Sequence, residues 1–109
     1  MPTSYKVLGQ SSPTAVQHTA VYTVPASTEA VISTITVCNR SSSPTTFRIA
    51  VRPNGATLAN QHYLAFDSVI GSNDTIALTL GITLDAADVI AVYTPSSDLS
   101  FSIFGSEVT

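Results

Sequence analysis

Along this chain Val, Ile, Leu, Phe and Tyr alternate with Ser, Thr and Ala in short runs separated by turn residues. Alternation with period two places one set of side chains on the core face of a sheet and the other on the opposite face. The cleanest run covers residues 46–52. There Phe47, Ile49 and Val51 point one way, and Thr46, Arg48, Ala50 and Arg52 point the other. The same reading predicts strands over 5–10, 19–24, 30–39, 62–67, 75–80, 89–94 and 99–104. In the 30–39 run Val31, Ile35 and Val37 share one face, with Thr34, Thr36 and Cys38 on the other. Ile76, Leu78 and Leu80 are expected inward, as are Leu99, Phe101 and Ile103, while Leu84 caps the core from a connection over 81–88. Residues 56–61 lean towards helix but are too few to form a stable one alone.

Between these runs lie Ser11-Ser12-Pro13, Pro25, Ser41-Ser42-Ser43-Pro44, Pro53-Asn54-Gly55, Gly71-Ser72-Asn73-Asp74 and Pro95-Ser96-Ser97. Turn signals at such short intervals, with no helical pattern between strands, predict an antiparallel sheet protein and not a parallel α/β fold. The fold class expected is all-β: one antiparallel β-sandwich of about eight strands, immunoglobulin-like or jelly-roll-like. It spans 1–109 as one domain, with 1–4 a flexible N-terminal end. A chain of 109 residues can build such a core without a metal or a disulfide.

Composition changes the picture of the outer surface. Only 10% of the residues are charged, so the strands turn Ser, Thr and Ala outward where Lys and Glu usually coat a monomer. Such a face is easily desolvated against a neighbour. The net charge is −3, and the four cations are Lys6, Arg40, Arg48 and Arg52, too few for a phosphate-binding surface. No nucleic-acid partner is expected. No stretch approaches a membrane span, and the N-terminus has no secretory signal pattern, so synthesis in the cytosol is expected. The sequons at Asn39 and Asn73 read as turn chemistry, and Cys38 as a small buried hydrophobe.

Residues able to do chemistry are sparse. His18 and His62 are the plausible bases of a hydrolase, but neither falls in a nucleophile elbow or a zinc-binding pair. Asp67, Asp74, Asp85, Asp88 and Asp98 flank turns, where Asp bonds local amides; this reading is preferred over a glycosidase pair. Asp85, Asp88 and Asp98 lack the spacing of a calcium loop. No catalytic residue, cofactor or metal is therefore expected. Arg48 and Arg52 are the candidate partner-binding residues, because they project from an otherwise small, neutral face and Arg is favoured at interfaces. The competing reading is a solvated pair that keeps the strand soluble.

Several segments carry a resemblance: Tyr5-Lys6-Val7-Leu8-Gly9-Gln10, Tyr22-Thr23-Val24-Pro25-Ala26, Val37-Cys38-Asn39-Arg40 and Phe47-Arg48-Ile49-Ala50-Val51-Arg52-Pro53. With His62-Tyr63-Leu64, Leu78-Thr79-Leu80-Gly81 and Phe104-Gly105-Ser106-Glu107, the chain resembles small β-rich virion proteins of tailed bacteriophages, cyanophages included. The resemblance implies a non-enzymatic particle component, as capsid cement or decoration or as part of the neck, tail or fibres. Its partners would be itself, with a trimer as the first expectation, and a major capsid or tail protein. The virion would be its final location and the bacterial host cytoplasm its site of synthesis. The alternative is a carbohydrate-binding adhesin module using Tyr22, Tyr63 and Tyr93 to stack on sugar rings.

Overall fold

The structure, a computed structural model, describes residues 2–109. Among the described residues, nine strands form two antiparallel sheets packed face to face. They are β1 (Thr3–Ser11), β2 (Thr19–Thr23), β3 (Glu29–Asn39), β4 (Thr45–Arg52), β5 (Tyr63–Ile70), β6 (Thr75–Leu78), β7 (Ile82–Leu84), β8 (Val89–Tyr93) and β9 (Leu99–Val108). The first sheet runs β1-β9-β3-β6, with β7 also paired to β3; the second runs β2-β8-β4-β5. This is the all-β sandwich that the alternation predicts, with one strand more.

The core forms where the inner faces meet. Ile35, Val37, Phe101 and Ile103 come from the first sheet, and Phe47, Ile49, Ile90 and Val92 from the second, all at most 1% exposed. Phe47 and Phe101 meet edge to face at 6.3 Å, the arrangement that ring quadrupoles favour. Val51, Ile76 and Leu78 flank this cluster half-buried, at the ends of shorter strands, and are not the fully buried residues that alternation alone implies.

Further expectations are corrected. Val31 faces outward at 42% exposure, because an extra residue, Ser33, interrupts the β3–β9 register. The bulge flips the side-chain parity, so Ala30 and Ile32 are inward before it and Ile35 and Val37 after it. Leu80 is 49% exposed, since β6 ends at Leu78 and the chain turns through Gly81 at positive φ. The 81–88 connection contains a strand of its own, β7, which delivers the buried Leu84. At the N-terminus, β1 begins at Thr3, inside the segment expected to be flexible, and the Thr109 amide donates to the Pro2 carbonyl. Met1 lies outside the described residues.

Two glycines permit close backbone approach. A Cβ on Gly105 would collide with the Val31 backbone, and one on Gly9 with the Val21 carbonyl. Gly9 thereby lets the β1 edge of the first sheet come against β2 of the second.

Candidate interaction surfaces

Arg48 and Arg52 both project from the outer face of β4, and each is already engaged within the chain. Arg48 forms a fork with Asp67, Nε donating to Oδ1 at 2.7 Å and Nη2 to Oδ2 at 3.2 Å. Its guanidinium lies over the Phe66 ring at 4.1 Å and the Tyr93 ring at 4.7 Å. Register explains both neighbours. Tyr93 is the β8 residue opposite Arg48, and the β4–β5 bulge, with Asp67 at φ 51°, turns Asp67 back towards the arginine. The mutual attraction raises the Arg48 pKa and lowers that of Asp67. Arg52 instead donates to the carbonyls of Ala56 at 2.7 Å and Gly55 at 3.1 Å. It closes the turn after β4, where Asn54 and Gly55 are both left-handed.

His18, in the loop between β1 and β2, stacks on Tyr93 with ring centroids 4.8 Å apart. Burial lowers its pKa first, and Arg48 and Arg52 lower it further. Tyr63 completes the cluster with an edge-on contact to Phe66 at 4.9 Å. Arginine, carboxylate and rings satisfy one another here. The arrangement is a clamp that pins the edge strand β5 to β4, with no nucleophile poised beside a base.

The remaining sequence candidates are dispersed. His62 Nδ1 accepts the Ala59 amide and closes a short 3-10 turn at Asn60–His62. Asp88 caps the amides of Asn54 and Asp85, Asp85 that of Ala86, and Asp74 that of Thr75. Among the described residues, no three His, Cys, Asp or Glu side chains gather as a metal site would need. Asn39 is 1% exposed and ties two loops, its amide donating to the carbonyls of Ser43 and Gly71. That is the turn chemistry expected of it. Cys38 is half-buried on the outer face of β3, less enclosed than expected.

One polar group went unnoticed in the sequence. Tyr22 is buried and donates to Glu107 Oε2 at 2.6 Å, while Lys6 Nζ lies 2.7 Å from Oε1. The two partners hold the Glu107 carboxyl below its usual range, and burial raises the Tyr22 phenol above its own. Alternation contained the signal. Continuing the period through Leu99, Phe101 and Ile103 puts Glu107 on the core face, three residues past the expected strand end.

The outer face of the first sheet differs in kind. Tyr5 and Val7 of β1, Phe104 and Ser106 of β9 and Val31 of β3 line an open apolar groove of about 620 Å³. Tyr5 is 85% exposed and Val7 49%. Towards the other end the outward residues are Ser100 and Ser102 on β9 and Thr36 and Cys38 on β3. Neither a family model nor a curated protein matches this chain. The chain is an all-β sandwich whose second sheet has its arginines bonded within the chain, although Phe66 and Val69 of its edge strand are exposed, and whose first sheet presents the open apolar groove.

Proposed function

We propose that the chain is a non-enzymatic structural subunit of a tailed-phage virion, binding copies of itself and a major capsid or tail protein. The observation that carries the assembly reading is the outer face of the first sheet, where Tyr5, Val7 and Val31 are exposed beside Ser and Thr. Apolar groups and small hydroxyls desolvate cheaply, whereas a soluble monomer usually coats such a face with charge. The virion assignment comes from the sequence resemblance. Repetition of one site over a symmetric particle would turn weak contacts into firm attachment. Quantitative mass spectrometry of purified particles tests the proposal. Stoichiometric copies per virion are the expected result, and absence of the chain from particles overturns it.

The second reading, a glycan-binding module, loses Tyr22, which is buried and bonded to Glu107, and draws instead on Tyr63 and Tyr93, with Phe66 beside them on the second sheet. Arg48 occupies faces of Phe66 and Tyr93, which leaves less ring surface for a sugar. Saturable binding on a glycan array would favour this reading over the first.

A further inference from the structure

Charge is placed asymmetrically on the outer face of the first sheet. Glu29 opens β3, is exposed, and by register points to the outer side. It takes part in neither of the ion pairs among the described residues. At the opposite end Arg40 follows β3, exposed, and bonds only neutral oxygens: Ser100 Oγ at 2.9 Å, Ser12 Oγ at 2.7 Å and the Ser97 carbonyl at 3.0 Å. Between them the outward residues of β3 are Val31, Thr34, Thr36 and Cys38, all uncharged. One negative and one positive charge therefore stand about 35 Å apart along a neutral strip.

We infer that this face pairs with the same face of a second copy, about a two-fold axis that sets the strands of the two copies antiparallel. Three observations converge on that occupant. First, between its end charges the face meets only Lys6, at the groove's edge and already paired with Glu107, so two chains of net charge −3 can meet there without burying unpaired like charges. Second, the antiparallel arrangement carries each Glu29 to the Arg40 end of the other copy, whereas a parallel one sets Glu29 against Glu29 and Arg40 against Arg40. Charge selects the orientation. Third, three strands of about ten residues, with the short β6 and β7 beside β3, present roughly 600 Å² per copy, or about 1,200 Å² in all, the lower bound of stable interfaces. Thr34 lies midway between the two charges and marks the axis, with Phe104 opposite it on β9. Tyr5, Val7 and Val31 of each copy then cover the smaller Ser and Thr end of the other.

The inference rests on the reading of the chain as an assembling subunit. Sedimentation equilibrium of the purified protein tests it, with circular dichroism confirming the fold of each variant. The wild type should be a monomer–dimer system. Thr34→Lys, which buries an unpaired charge mid-face, and Glu29→Arg, which opposes Arg40, should each weaken the dimer at least about tenfold. Mixing Glu29→Arg with Arg40→Glu should restore a mixed dimer to within about threefold of wild-type affinity, because both end pairs become complementary again. A monomer at all concentrations, a trimer, or a dimer insensitive to Thr34→Lys overturns the inference. Particle binding is measured separately: monomers that still coat particles sink only the self-pairing, and dimers that never reach particles sink only the virion reading.

Discussion

The two outer faces of this sandwich are built from different parts of the chain. On the second sheet, side chains do the shaping: Arg48 is forked to Asp67 and stacked between Phe66 and Tyr93, and Arg52 holds its own turn. Both sheets carry bulges, but on the first sheet the backbone acts without such a side-chain cluster. Leu8 and Ser33 are the extra residues in β1 and β3, on either side of the same stretch of β9, and Gly105 lets Val31 come close. A face shaped by side chains uses up its own polar groups, whereas a face shaped by backbone leaves its side chains free for another molecule. The arginines that look like an interface in sequence are thus the more committed groups, and the plain Ser, Thr and Val face is the available one.

The largest expected effect strikes the backbone-shaped face. Gly105→Ala forces a methyl against the Val31 backbone, which cannot move without breaking the β3–β9 ladder. Destabilisation of about 3 kcal/mol is expected in urea unfolding, with self-association lost as well. A near-neutral Gly105→Ala would show that side chains shape this face too.

Next is the tie between the sheets. Tyr22→Phe removes the hydroxyl that donates to buried Glu107 and should cost about 2 kcal/mol, because a charge-assisted bond in a buried site is lost. Unchanged stability would mean that Lys6 alone satisfies Glu107.

Much of this was legible in the sequence, for a definite reason. Period-two alternation reports burial wherever pairing is regular, so Phe47, Ile49, Phe101 and Ile103 are where it puts them. It fails at the bulge, because one inserted residue inverts every later position; Val31 faces solvent for this reason although its neighbours in the pattern are buried. It fails also where strands end early, as at Leu80. The outward direction of Arg48 and Arg52 was readable from β4. Their engagement was not, since Asp67 reaches Arg48 through a left-handed residue on another strand and Arg52 bonds carbonyls, which carry no signature in sequence.

A smaller effect sharpens the contrast from the side-chain face. Arg48→Ala should lower the unfolding midpoint by less than Tyr22→Phe, since the pair with Asp67 is solvent-screened. Arg48→Lys should recover little of that loss, because an ammonium reproduces neither the fork nor the stacking. Both variants should dimerise as the wild type does. Lost association with an intact fold would return Arg48 to the partner-binding role expected from the sequence.

The smallest effect is the pH response, and its sign follows from the second face. His18 has a folded pKa below its ordinary 6.5, chiefly through burial and then through Arg48 and Arg52. As pH falls below about 6.5 the unfolded chain binds the proton first, so stability drops until the lowered folded pKa is passed, then levels. Glu107 and Asp67 are also lowered, from 4.5 and 3.8, so their contribution is present above those values and lost at lower pH. Unfolding midpoints should therefore decline in two acid steps. His18→Gln should remove the upper step and leave the lower one. His18 belongs to the cluster on the second sheet, and the first sheet's outer face carries no histidine. Self-association measured across the upper step should stay constant while stability falls. A dimer that weakens in parallel with the His18 step would place the second face at the interface and reverse the contrast between the two.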